Sequence, residues 1–205
     1  MECPDGHLVE RCKSGDLQAF ELLFRKYEGR VFSVAVRMVG SRDDAEDVKQ
    51  ETFLHAFRAI RSFQGRSSFA TWLLRITKNL CLDQIKRRKP TCSLDESLDQ
   101  KGWRMEHESA DPSVEAERLE LREHVQRALL MTPPHYRILL VLRHIEGLPY
   151  SEIAKIVGCS VNALNVRLHR AREALKDKMR SYVTYQEGQE TNELQASEKA
   201  TEPSS

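Results

Sequence analysis

Long apolar runs are absent from this chain of 205 residues; no stretch reaches the roughly 18 residues that a membrane-crossing helix needs. The first residues, MECPDGHLVERCKSGD, carry acids and no apolar core, which excludes a secretory signal in that stretch. The two absences predict a soluble cytoplasmic protein with no direct membrane insertion. Cysteine is sparse, with Cys3, Cys12, Cys81, Cys92 and Cys159 forming no CxxC pair, so neither a disulfide framework nor a zinc ribbon is predicted. Isolated reduced thiols fit that pattern. Aromatic residues make up 7%, and alternating β-branched runs are scarce, which argues for helices over sheets. No P-loop, HExxH or nucleophile elbow occurs, so no enzyme is expected, and with it no cofactor, small-molecule substrate or metal.

What is present is a chain with 40% apolar and 31% charged residues, enough to bury a core and solvate its surface. The net charge of +1 hides a strong segregation of sign along the sequence. Residues 8–89 read as helices punctuated at Gly29, at Gly40-Ser41 and at the loop Phe63–Ser67. Ser41 with Asp44 has the form of a capping box, and Ser67 or Ser68 is placed to cap the following helix. Residues 90–112 break the periodicity and hold the acids Asp95, Glu96, Asp99, Glu106, Glu108 and Asp111 against Lys101 and Arg104, as a flexible acidic linker does. Asp111-Pro112 then opens a second set of helices at about 113–131, 135–146, 150–157 and 161–184. From Gln186 to Ser205 the chain is polar without an apolar stripe and is expected to be a disordered tail. The expectation is an all-α fold: a helical domain over 1–89, the linker, and a second helical domain over 113–185 containing a helix-turn-helix.

The strongest motif is LPYSEIAKIVGCSVNALNVRLHRAREAL, Leu148 to Leu175, with Ala154, Gly158 and Leu164 at helix-turn-helix spacing. Wound as a helix, its second half gathers Val161, Leu164, Leu168, Ala171 and Leu175 on an inward face. Asn162, Val166, His169 and Arg170 then point outward, with Asn165 on the flank. That set suits a major groove: amides for base edges, an apolar group for a thymine methyl, cations for phosphate. Arg167, Arg170 and Arg172 are expected to meet mainly the DNA backbone. A merely solvated basic face is the alternative.

In the N-terminal half, residues 43–60 separate Ala45, Val48, Thr52, Ala56 and Ala59 from an outer cluster of Asp47, Gln50, Glu51 and Leu54, with Phe57 nearby. An acidic stripe carrying apolar residues fits a protein partner, or a solvated face. The next helix places Phe69, Trp72, Leu73, Ile76 and Leu80 on one side, and Thr71, Arg75, Lys78, Lys86 and Lys89 on the other with Asn79 at the edge. This resembles a surface for a single nucleic-acid strand preceded by a polar glycine loop. Trp72 reads as core, whereas Phe63 and Phe69 beside the loop are candidates to reach a nucleotide, with packing in the core as their default reading.

Together, DAEDVKQETFLHAFRAIRSFQGRSSFATWLLRITKN and EGLPYSEIAKIVGCSVNALNVRLHRARE resemble the extracytoplasmic-function sigma factors of the sigma-70 family, with similarity extending over residues 8–180. The resemblance implies an alternative sigma factor that binds core RNA polymerase and directs promoter-specific initiation. It implies docking of Asp47, Gln50 and Glu51, with Leu54 and Phe57 alongside, on the clamp helices of the polymerase β′ subunit, and a second contact of the C-terminal half with the β flap. The loop from Phe63 to Ser68, including Gly65 and Ser67, corresponds to the element that captures a flipped base of the minus-ten motif, with Asn79 near that pocket. Asn165, Val166, His169 and Arg170 correspond to positions that read the minus-thirty-five motif. An anti-sigma factor, often membrane-bound, is an expected partner, and the acidic linker is expected to follow the path of nascent RNA. The rival readings are an autonomous helix-turn-helix regulator and a helical adaptor that binds only proteins.

Overall fold

The computed structural model describes the backbone of residues 5–88 and 112–200 and the side chains of 5–88 and 121–180. Every regular element among them is helical: α1 (Gly6–Lys13), α2 (Leu17–Val39), α3 (Arg42–Ala59), α4 (Phe69–Arg87), α5 (Pro112–Met131), α6 (Pro134–Leu140), α7 (Tyr150–Val157) and α8 (Val161–Ala200). A short 3-10 turn, Ile60–Ser62, follows α3, and a π turn, Val141–Ile145, follows α6. The acidic linker, apart from Pro112, lies outside the described residues.

Local chemistry sets the helix starts. Asp16 caps α2 by accepting from the Ala19 amide at 3.1 Å, Ser41 caps α3 from Asp44 at 3.3 Å, and Ser68 caps α4 from Thr71 at 3.1 Å. The break expected at Gly29 does not occur, because α2 runs straight through it and the chain turns earlier, at Gly15. The buried row Leu23, Tyr27, Val31 and Val34 spans Gly29, and its packing outweighs the roughly 1 kcal/mol that a glycine costs inside a helix.

Around α2, the helices α1, α3 and α4 enclose an aromatic-rich core of Val9, Leu23, Tyr27, Phe53, Phe63, Phe69 and Leu73. A second cluster does not respect the division into halves. It joins Val34, Met38, Val39, Ala45, Val48, Leu74 and Cys81 to Ile138, Leu139, Leu142, Ile153, Ile156, Leu164 and Leu168. Helix α4 packs along α7, and α2 touches α5 and α6, so the two helical units are docked on one another. Helix α4 is consequently buried on two sides, a pattern that a one-sided apolar stripe does not reveal: Leu74, Thr77 and Cys81 are buried beside the expected Phe69 and Leu73. Burial raises the Cys81 thiol to about 12, leaving it inert at neutral pH.

Two further differences concern α8. It extends to Ala200, where a disordered tail was expected from Gln186. The sequence there has one glycine, Gly188, and no proline before Pro203, and its Glu, Gln, Leu, Ala and Lys residues favour a helix without needing a stripe to bury. Val161, expected to point inward, is 41% exposed, because as the first residue of the helix it hangs off the turn before the buried row begins at Leu164.

Candidate nucleic-acid and partner interfaces

In the helix-turn-helix, α7 ends where Gly158 adopts a left-handed backbone, φ 74°, and its amide donates to the Ala154 carbonyl at 2.9 Å. Only glycine enters that region freely, which is why the turn falls here. The Ser160 hydroxyl accepts from the Ala163 amide at 3.2 Å and starts α8. Leu164, Leu168 and Ala171 are buried, at 1% exposure or less, and fix the rotation of the helix. That rotation leaves Asn162, Asn165, Val166, Arg167, His169, Arg170 and Arg172 all exposed, with Val166 at 54%. All seven predicted residues are thus displayed on the outer surface of one helix.

Three residues that sequence reading passed over sit beside this surface. Arg172 lies 3.5 Å from both His144 Nε2 and the Tyr150 hydroxyl. Arg143 stacks over the Tyr150 ring at 4.8 Å and donates to the Leu148 carbonyl at 2.9 Å. Burial and the neighbouring Arg172 and Arg143 push the His144 pKa below its ordinary value. A corner of this kind, two arginines and an imidazole around a phenol, suits a phosphate. The only signal in the sequence was the string LRHIEGLPY, whose cations precede the motif and reach it only through the fold.

The loop between α3 and α4 rests on aromatic rings. Phe63 lies 5.0 Å from Trp72 and 6.3 Å from Phe69, and Trp72 lies 5.7 Å from Phe69. Phe69 is fully buried and Phe63 is 7% exposed, so neither is available to stack on a nucleotide as expected; they support the loop from beneath. Gln64, Gly65 and Arg66 are exposed above them, Gly65 with a left-handed φ of 69°. Ser67 and Ser68 are half-buried, and Ser68 is committed to the α4 cap. Along α4, Arg75 and Asn79 are exposed and Lys78 is half-buried, its ammonium pKa lowered by burial and by Arg75. Thr71, assigned to the outer face, is 3% exposed because Glu152 of α7 covers it, with 3.4 Å between their oxygens.

On α3, Ala45, Val48, Thr52 and Ala56 are buried together with Phe53, while Asp47, Gln50 and Glu51 are exposed. Leu54 and Phe57 keep 45% and 44% of their surface in solvent. Phe57 packs edge-on against Phe20 at 5.0 Å, so the apolar part of the stripe continues onto α2. The expected acidic and apolar residues therefore form one patch.

Among the described residues no helix is long and apolar enough to cross a membrane. The sequence matches the family Sigma-70 region 2 over residues 23–91 and the family Sigma-70, region 4 over residues 122–175. It is 35% identical over 177 residues to the ECF RNA polymerase sigma factor SigW of Bacillus subtilis (strain 168), covering 84% of this chain and 95% of that protein. With the ECF RNA polymerase sigma-E factor of Escherichia coli (strain K12) it shares 38% identity over 186 residues, 87% of this chain and 96% of the other. Among solved structures, CnrH in complex with the cytosolic domain of CnrY superposes with a TM-score of 0.62 at 28% identity, over 85% of this chain and 96% of that one. The sigma factor RpoE of Bartonella quintana, in complex with the anti-sigma factor NepR, shares the fold with a TM-score of 0.59 at 24% identity, over 80% of this chain and 98% of the other. With one region in each half, and an exposed recognition helix in the second, this chain belongs to the extracytoplasmic-function sigma factors of the sigma-70 family.

Proposed function

We propose that the chain is an alternative sigma factor that works by binding, without covalent chemistry, in the cytoplasm, on core RNA polymerase and promoter DNA. The single observation that carries the division of labour is the separation of two unlike exposed surfaces: the acidic and apolar patch on α3, and the cationic outer face of α8. In this reading Asp47, Gln50, Glu51, Leu54 and Phe57 dock on the β′ clamp helices, where the exposed apolar groups supply the part of the contact that survives salt. The C-terminal half meets the β flap. Asn165, Val166, His169 and Arg170 read the minus-thirty-five duplex with Asn162 beside them on the same outward face, while Arg167 and Arg172 hold its backbone.

The minus-ten element is met as an opened strand by Gly65, Ser67 and Ser68, with Arg75, Lys78 and Asn79 along α4. Capture of an unstacked base there lowers the free energy of the melted state relative to the duplex, and melting follows. An anti-sigma factor is the natural antagonist, as NepR partners the similar RpoE.

Transcription in vitro with purified core polymerase on promoter fragments tests this reading. The expected result is start-site-specific transcript only when this protein is added. Tight duplex binding by the protein alone, with no effect on the start site, would instead make it an autonomous regulator. Binding to neither DNA nor core polymerase would leave an adaptor.

A further inference from the structure

His144 sits in the π turn before the helix-turn-helix and is exposed. The fold brings cations to it from two directions. Arg143 of the same turn lies over the Tyr150 ring at 4.8 Å, and Arg172 of α8 reaches both the Tyr150 hydroxyl and His144 Nε2 at 3.5 Å. Farther along α8, Lys176 and Arg180 line the same open cleft as His144 and Arg172. The acids of these elements are turned elsewhere. Glu146 accepts from Arg30 on α2 at 2.7 Å, Glu152 of α7 meets Thr71, and the helical period sets Glu173 and Asp177 roughly 100° or more around α8 from Arg172. Among the described residues neither Arg143 nor Arg172 pairs with a carboxylate. Cations gathered without a counter-charge repel one another, and an oxyanion at the corner relieves them. Arg172 Nε donates to His144 Nε2, so that ring nitrogen carries no proton in this arrangement. Both 3.5 Å contacts are long, and a stronger acceptor draws the guanidinium away from them.

The corner lies where a DNA backbone runs if α8 reads bases. Asn165, His169 and Arg172 share one side of α8, and the rise from the first to the last is about 10 Å. A major groove is about 12 Å wide and 8.5 Å deep, so a helix with Asn165 at the base edges carries Arg172 to the rim of the groove. A phosphate there accepts from Arg143, Arg172 and the Tyr150 hydroxyl, and Arg172 releases His144 Nε2. The ring then takes one proton from solvent and donates it in a hydrogen bond to the same phosphate. While only the two arginines face it, the ring resists that proton, because partial burial and their charge hold its pKa below the ordinary value. The charge of the phosphate offsets theirs.

We propose that Arg143, His144, Tyr150 and Arg172 hold one backbone phosphate of the minus-thirty-five duplex, and that His144 gains a proton as the phosphate enters, which links promoter affinity to pH. The proposal rests on the sigma-factor reading and adds a regulation of its DNA-reading face. Binding that takes up a proton strengthens as pH falls, and levels off once the ring of the unbound protein is protonated as well.

The test is equilibrium binding of a promoter duplex by the full chain on core polymerase, measured between about pH 8 and pH 6 at several salt concentrations. The parent is expected to gain several-fold in affinity towards acid, with the slope of log affinity against log salt steepening by about 1. His144→Gln stays flat in both readouts at the weaker affinity, and His144→Lys, charged throughout, stays flat at the tighter one. Both leave the core untouched, since His144 is exposed. His169→Gln weakens binding but keeps the pH response, which separates the two imidazoles of this face. Replacing single phosphates by neutral methylphosphonate locates the contact: at one position the pH response vanishes and Arg172→Ala costs nothing further. A pH response that survives His144→Gln, or no phosphate position that cancels it, overturns the proposal. So does inorganic phosphate that moves the His144 imidazole NMR signals of the free chain while no duplex position couples to His144, since the corner then serves a small anion. Start-site-specific transcription with a flat pH response overturns the proton link alone. Absence of any such transcript from the parent protein overturns the sigma-factor reading itself.

Discussion

The rings of Phe63 and Trp72 lie 5.0 Å apart and close the base of the loop that runs from α3 to α4. Phe63 is the first residue after the 3-10 turn and Trp72 stands in the first turn of α4, so one aromatic contact sets the span of the exposed segment between them. The glycine and serines of the loop therefore sit over a packed aromatic floor.

Phe63→Ala removes a ring that is 7% exposed and leaves a cavity under the loop. A loss of about 3 kcal/mol in urea unfolding is expected, together with weaker promoter opening. Gly65→Ala separates the two effects: its φ of 69° costs about 1 kcal/mol of strain, with nothing within 4 Å to clash, so stability changes little while opening on supercoiled templates falls. Equal losses of stability in the two variants would contradict this.

On α3, alternate residues answer to different tests. Asp47→Ala and Glu51→Ala, both exposed, are expected to weaken core polymerase binding about tenfold or more in a competition assay and to leave the melting temperature unchanged. Val48→Ala, at 2% exposure, is expected to cost about 1–3 kcal/mol of stability and to affect binding only through folding.

On the proposed DNA-reading face of α8, two kinds of contact are expected to separate by role. Arg170→Ala or Asn165→Ala is expected to lose about 1–3 kcal/mol and to relax preference at one base position. Arg167→Ala weakens binding to all sequences alike and reduces the slope of log affinity against log salt by about 1. Fluorescence anisotropy on a panel of single-base variants at several salt concentrations distinguishes the two patterns.

Acid should loosen the C-terminal half through His144. Burial, Arg172 and Arg143 hold its pKa below the ordinary 6.5, so as pH falls through that value the unfolded chain takes up a proton that the folded chain resists. The contribution of His144 to stability is thus fully present above about pH 6.5 and is lost on acidification below it. His144→Gln is expected to flatten this part of the stability profile between pH 7 and pH 5; an unchanged profile would assign the effect elsewhere.

Much of this architecture was legible because helices announce themselves locally. Ser41, Ser68 and Pro112 mark real starts, and the apolar period of Leu164, Leu168 and Ala171 orients the second helix of the helix-turn-helix from sequence alone. What could not be read were contacts made between halves. Leu74 and Thr71 are buried by α7 and the docked core, and no local pattern on α4 foretells a second neighbour. Phe63 and Phe69 divide in a related way: beside a glycine loop an aromatic ring looks available to a nucleotide, yet the default of packing prevails and both rings lie against Trp72 in the same core. Glu146 passed as one more acid in a polar turn, since its partner Arg30 is 116 positions away.

The shared cluster around Met38, Leu139 and Ile153 also ties the fate of the two halves together during the life of the protein. A continuous core unfolds as one cooperative unit, so the docked chain is expected to melt in a single transition. Any opening of this boundary exposes the apolar faces buried there, so protease susceptibility and self-association are expected to rise together with it.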